Sequence, residues 1–136
     1  MRYLLDTNIC LFLMHRRPPE IIERFKRLTR GEVVMSTVTL AELRVGLERR
    51  PELKDAAERA LQLVLSHIPA VPFDTDASVS YGVLAAAVRD RRRDVLDRLI
   101  AAHAVSLGLT LVTSNEANFK DYPGLTVENW VSAAQE

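Results

Sequence analysis

The sequence predicts an α/β fold: a three-layer α/β/α sandwich around a mostly parallel sheet of four to five strands. Three observations predict it. Short runs of β-formers, Tyr3-Leu4-Leu5, Val33-Val34-Met35-Ser36 and Leu109-Thr110-Leu111-Val112-Thr113, are apolar without alternation, as strands buried on both faces are. Longer stretches with helical apolar spacing separate them, which argues for helical crossovers between parallel strands. No repeat, low-complexity tract or linker divides the 136 residues, so residues 1–136 are expected to form a single domain around one core.

Tyr3 to Leu5 is the expected first strand, and it runs directly into Asp6. Asp6, Thr7 and Asn8 are helix-starting residues, and Ile9 to Met14 continue as an apolar run. In an open parallel sheet, ligands bind beyond the carboxyl ends of the strands. Asp6 therefore has two readings, as the cap of the first helix and as a site residue. The prolines at 18 and 19 are tolerated at the start of a second helix, expected over roughly Glu20 to Leu28 with Ile21, Ile22, Phe25 and Leu28 as its apolar stripe. Around it Arg16, Arg17, Arg24, Lys26, Arg27 and Arg30 outnumber Glu20 and Glu23, a solvated face that could also flank an anionic substrate.

The strand at Val33 to Ser36 leads to a helix expected from about Leu40 to Arg49. Thr39 and Glu42 have the capping-box spacing, so Glu42 too can be a cap or a site residue. Pro51 opens another helix with Leu53, Ala57, Leu61, Val64 and Leu65 on its apolar face. His67 to Phe73 holds too much proline for a central strand and suits a brief edge strand. Asp74 is expected to cap a helix running to Val88 or Arg89. Arg89-Asp90-Arg91-Arg92-Arg93-Asp94 is the densest charge run, an exposed connection that could contact phosphates. Val95 to Ala104 is an alanine-rich helix with Asp97 in its first turn, ending by Gly108. Ser114, Asn115 and Glu116 form the polar end of the Leu109 to Thr113 strand. Leu125 to Val127 suit a last edge strand, Trp130 closes the globule, and residues 131–136 are expected to be a loose tail.

Composition narrows the chemistry. Eighteen Lys and Arg balance eighteen Asp and Glu, so nucleic-acid binding would have to come from local clusters. One cysteine, Cys10, lies in an apolar run and suits a small buried hydrophobe in a reducing compartment. No apolar run approaches the roughly 18 residues of a membrane span, and Asp6 and Asn8 interrupt any signal-peptide pattern. A soluble, cytoplasmic protein is expected, without a membrane partner.

Asp6, Glu42 and Asp97 stand at the starts of three helices, with Asn115 and Glu116 after a further strand. Two carboxylates about 4 Å apart repel by about 1 kcal/mol in water and about 4 kcal/mol at an effective dielectric near 20, so gathering them needs a cation. Oxygen donors without His or Cys suit Mg²⁺ or Mn²⁺ rather than zinc. His15, His67 and His103 have no ligand spacing, and His103 reads as structural. An ion so held activates water and neutralises charge on a phosphate, the requirements of phosphodiester hydrolysis.

Leu5-Asp6-Thr7-Asn8-Ile9, Thr39-Leu40-Ala41-Glu42-Leu43, Leu96-Asp97-Arg98-Leu99-Ile100-Ala101-Ala102-His103-Ala104 and Leu111-Val112-Thr113-Ser114-Asn115, in this order, resemble the PIN-domain ribonucleases, in particular the VapC toxins of bacterial type II toxin–antitoxin systems. The resemblance extends over Val71 to Asp74 and from Asn118-Phe119 to Trp130. It implies a Mg²⁺- or Mn²⁺-dependent endoribonuclease, homodimeric and assembling further with its antitoxin, acting on structured RNA such as tRNA or rRNA and held inactive by a small VapB-like antitoxin. By motif match Asp6, Glu42 and Asp97 are the metal-binding acids. Asn115 falls where relatives carry a fourth acid or an Asn, and Thr7, Asn8, Thr113 and Glu116 are supporting residues, with Thr7 and Asn8 orienting Asp6. Where that family has a Gly-containing connection before the third acid, this chain has Arg91 to Leu96, so the rim should differ there. Arg91, Arg92 and Arg93 are the first candidates for RNA backbone contact, and Arg16 and Arg17 the second. Two other readings stand beside this one: a catalytically weak dimer that binds RNA or antitoxin, and a phosphatase with Asp6 as nucleophile, for which Asn8 replaces the second Asp that such enzymes carry.

Overall fold

A computed structural model describes residues 1–88 and 95–131. Five strands, β1 (Tyr3–Leu5), β2 (Val33–Ser36), β3 (Ala70–Val71), β4 (Thr110–Val112) and β5 (Val127–Glu128), form one sheet in the order β3-β2-β1-β4-β5. Every pairing is parallel, with Tyr3 opposite Val33 on one side and Thr110 on the other. The helices are α1 (Thr7–His15), α2 (Pro19–Lys26), α3 (Thr37–Glu48), α4 (Lys54–His67), α5 (Thr75–Ala87) and α6 (Val95–Leu107).

Alternation along β1 sorts the core into two halves. Tyr3 and Leu5 join Ile9, Cys10 and Leu13 of α1, Ile21 of α2, Leu43 and Leu47 of α3, and Leu61 and Val64 of α4. Leu4, between them, joins Val34, Leu111, Leu84 of α5 and Ile100, Ala101 and Ala104 of α6 on the other face. Both faces of the central strands are covered, which is why their sequences show no polar alternation. The two-residue strands β3 and β5 lie at the edges, where the prolines beside β3 cost no ladder hydrogen bond.

Several boundaries differ from the sequence expectation, among them α2, which ends at Lys26 rather than Leu28, and the last strand, which lies at Val127–Glu128 rather than Leu125 to Val127. α3 begins at Thr37 rather than near Leu40, because Ser36, extended at φ −78° and ψ 149°, is its N-cap and its Oγ accepts from the Val38 N–H. The capping-box reading of Thr39 and Glu42 therefore fails: Thr39 is buried in the first turn and Glu42 lies in the second. After Arg50 the chain makes a short 3₁₀ turn over Pro51–Leu53 before α4 starts.

The last segment is fixed by polar contacts. Trp130 packs edge-on to Tyr3 with ring centroids 5.3 Å apart, its Nε1–H donates to Glu128 at 2.9 Å, and Arg24 of α2 pairs with the same Glu128 oxygen. Trp130 closes the globule as the sequence predicts. Among the described residues no helix is long and apolar enough to cross a membrane.

Candidate functional site

The strand order places a topological switch at β1 and β4. From β1 the chain crosses to β2 and β3, then returns to the opposite side of β1 as β4. Adjacent parallel strands whose connections depart in opposite directions leave a crevice beyond their carboxyl ends. The residues just past those ends are Asp6 and Thr113.

Asp6 caps α1 and stands in the crevice beyond β1. Its backbone N–H donates to Val112 O at 3.0 Å, which ties it to β4. Its Oδ1 accepts from the Ile9 N–H at 3.0 Å as the N-cap of α1, and the Thr113 side chain also hydrogen-bonds the carboxylate. The Asn115 N–H in turn donates to Thr113 Oγ1 at 3.0 Å. Asp6 is 5% exposed. Burial pushes its pKa up to about 6, the bonds from Thr113 and Ile9 pull it back, and the like charges of Asp97 and Glu42 push it up again. The charges of all three acids therefore meet at Asp6, although they come from α1, α3 and α6.

The flanking acids are each held by a neutral donor. Thr7 Oγ1 donates to Glu42 Oε1 at 2.6 Å, with Thr39 Oγ1 3.5 Å from Thr7. Thr7 thus orients Glu42, and not Asp6 as its place in the motif implies, because the first position of α1 faces α3. Asn8, assigned the same task, is exposed on α1. Asn118 Nδ2 donates to Asp97 Oδ2 at 3.3 Å. Among the described residues no three His, Cys, Asp or Glu side chains are already drawn around one point. Asp97 and Glu42 stand within electrostatic reach of Asp6. A donor set of carboxylate oxygens, one buried and pressed by two like charges, fits a hard divalent cation.

The remaining candidates divide. Asn115 precedes a 3₁₀ turn over Glu116–Asn118 without a side-chain capping bond, and Asn115 and Glu116 are both exposed. The side chain that this turn brings to the acids is Asn118, to which the sequence reading gave no role. Its one signal in the sequence is its place in the Asn118-Phe119 stretch of the family resemblance. Arg16 and Arg17 are exposed at the far end of α1, ~15 Å from Asp6 along the axis at 1.5 Å per residue. Arg91, Arg92 and Arg93 lie outside the described residues, as does the altered connection up to Asp94.

Two other polar groups, the buried His103 and the exposed Asp74, are structural. His103 Nδ1 stands 2.8 Å from Ser36 Oγ and the ring bonds the Pro72 carbonyl. Burial lowers its pKa against the opposing influence of Asp74 and Pro72, and its buried place in α6 agrees with the structural role expected. Asp74 caps α5 by accepting from the Ala77 N–H at 3.0 Å. Cys10 is fully buried, and burial and then Asp6 push its thiol up, away from reactivity.

Residues 3–125 match the model of the PIN domain, whose nucleases generally use divalent metal ions. The chain is 36% identical over 135 residues to the tRNA(fMet)-specific endonuclease VapC of Shigella flexneri, covering 96% of this chain and 98% of that protein. It is 32% identical over 133 residues to ribonuclease VapC2 of Rickettsia felis, covering 96% and 98%. Among solved structures, DNA-bound VapBC from Salmonella typhimurium superposes with a TM-score of 0.87 at 32% identity, over 96% of this chain and 99% of that one. VapBC2 from Rickettsia felis, bound to a promoter DNA fragment, gives 0.86 at 30%, over 96% and 100%. With the fold, the switch-point acids and this full-length similarity in agreement, the chain belongs to the PIN-domain family and, within it, to the VapC ribonucleases.

Proposed function

We propose that the chain is a metal-dependent endoribonuclease, the toxin of a type II toxin–antitoxin pair, with Asp6, Glu42 and Asp97 as the acids that hold Mg²⁺, or Mn²⁺ in its place. The observation that carries this is the buried Asp6 carboxylate at the β1/β4 switch, pressed by the like charges of Asp97 and Glu42. A bound hard divalent ion supplies charge neutralisation at the scissile phosphate and activation of the attacking water. The protein's part is placement. The Ile9 N–H and Thr113 fix Asp6, Thr7 fixes Glu42 and Asn118 fixes Asp97. No Ser, Cys or Lys nucleophile is needed, and Cys10 is fully buried.

The substrate proposed is structured RNA, tRNA before rRNA, because the Shigella relative is named for cleavage of tRNA(fMet). The partner proposed is a small VapB-like antitoxin, since the solved relatives are VapBC complexes, and the toxin itself is proposed to be a homodimer that joins a larger assembly with it. The phosphatase reading falls with the family assignment.

The test is expression of the chain with and without the neighbouring small open reading frame, followed by mapping of new RNA 5′ ends and in vitro cleavage in Mg²⁺ and in EDTA. Cleavage that depends on the cation and disappears in a folded Asp6→Asn variant is the expected result. Cleavage by Asp6→Asn at the wild-type rate refutes the assignment of the acids.

A further inference from the structure

We propose that Asn118 is a positioning residue of the acidic site: its amide holds Asp97 by one oxygen and so sets the direction in which the other is presented to a cation. The proposal rests on the reading of Asp6, Glu42 and Asp97 as metal ligands. The bond joins two elements 21 residues apart, the 3₁₀ turn after β4 and the first turn of α6, through Asn118 Nδ2 and Asp97 Oδ2 at 3.3 Å. A carboxylate accepts and does not donate, so only the nitrogen end of the amide can face it without repulsion. The orientation of Asn118 is therefore set by chemistry.

The turn that carries Asn118 is itself fixed. The Asn118 N–H donates to Asn115 O at 3.2 Å and the Phe119 N–H to Glu116 O at 3.0 Å. Phe119 is 2% exposed, packed with Leu4, Ile100 and Leu111 in the core half beneath α6. A side chain next to so firm an anchor loses little further freedom when it holds a ligand, which is what preorganisation requires. Asn115 and Glu116, on the same turn, are exposed.

The choice of a neutral amide follows from the charge already present. Asp6 is pressed by Asp97 and Glu42, and a fourth carboxylate beside Asp97 would add repulsion whenever no cation is bound. An amide orients Asp97 without adding charge, as Thr7 does for Glu42. Partners that orient metal ligands without binding the ion are worth 10–100-fold in metal affinity.

The experiment is titration calorimetry of the EDTA-stripped full chain with Mn²⁺, comparing wild type, Asn118→Leu, Asn118→Ala and Asp6→Asn, with melting midpoints in EDTA alongside. Leu keeps the approximate volume without the donor, and Ala covers the case in which Leu disturbs the turn. The expected result is Mn²⁺ affinity lowered 10–100-fold in both Asn118 variants, melting in EDTA lowered by no more than the loss of one hydrogen bond, and a fall in kcat for RNA without a change in KM. Mn²⁺ affinity within twofold of wild type in both Asn118 variants, while Asp6→Asn abolishes binding, overturns the role of Asn118 and leaves the metal site standing. Melting lowered in EDTA with Mn²⁺ affinity unchanged assigns Asn118 a structural role and overturns it equally. Absence of Mn²⁺ binding by the wild type overturns the parent reading instead.

Discussion

Asp6 is a carboxylate placed where ionisation is costly. Its pKa of about 6 lies above the ordinary 3.8, so between those values the folded chain binds more protons at this position than the unfolded chain. The stability Asp6 contributes is then fully present below pH 3.8 and lost as pH rises through about 6. His103 acts with the opposite sign. Its lowered pKa gives stability that is present above 6.5 and lost as pH falls below it. Comparison of wild type with Asp6→Asn isolates the first effect. Asn retains the capping oxygen and removes the charge, so in EDTA at pH 7.5 the variant should be about 1–3 kcal/mol more stable, with the gain vanishing near pH 4. Chemical denaturation across that pH range measures it, and equal stability at pH 7.5 would mean that Asp6 is not under strain. Thr7→Val removes the donor to Glu42 and keeps the branched shape. It should cost about 0.5–1.5 kcal/mol by denaturation and weaken Mn²⁺ binding by roughly tenfold.

Where helices begin and strands end, single polar residues serve two elements at once. Ser36 caps α3 through the Val38 N–H and also partners the buried His103 of α6. Ser36→Ala therefore removes a cap and leaves a buried imidazole nitrogen without its hydroxyl, and should cost about 2–3 kcal/mol. Melting or urea unfolding checks this, and a loss below about 0.5 kcal/mol would show that His103 finds another partner. The same junction explains what the sequence conveyed and what it hid. β1 and β2 were legible because both faces are covered and their residues are uniformly apolar. The cap at Asp6 was legible because a carboxylate directly after such a strand, before an apolar run, is a preferred helix start. The start of α3 was not, since Ser36 and Thr39 are both good caps by composition, and only the end of the strand at Ser36 decides between them. Thr7 bonding Glu42 and Asn118 bonding Asp97 are tertiary contacts between elements 35 and 21 residues apart. No local pattern encodes them.

Taken as a body, the molecule has no net charge, so attraction to RNA has to be local. The acids gather beyond one end of β1 and β4, while Arg16 and Arg17 sit at the opposite end of α1. The run Arg91-Arg92-Arg93, close in sequence to Asp97, is thus the better candidate for backbone contact. Replacing all three with Ala should weaken RNA binding and lower the slope of log affinity against log salt by about 2, at ~0.7 per single-strand phosphate contact. Fluorescence anisotropy over a salt series measures that slope, and an unchanged slope moves the contact surface elsewhere.

The proposed gathering of three acids around a hard cation is best tested by anomalous diffraction from crystals of the protein soaked in Mn²⁺. The proposal predicts a strong peak beside Asp6 at the β1/β4 switch, with oxygens of Asp6 and Asp97 at roughly 2.0–2.3 Å and Glu42 on the same ion directly or through a water. Manganese bound elsewhere, or no peak while Asp6, Glu42 and Asp97 remain ordered, would contradict it.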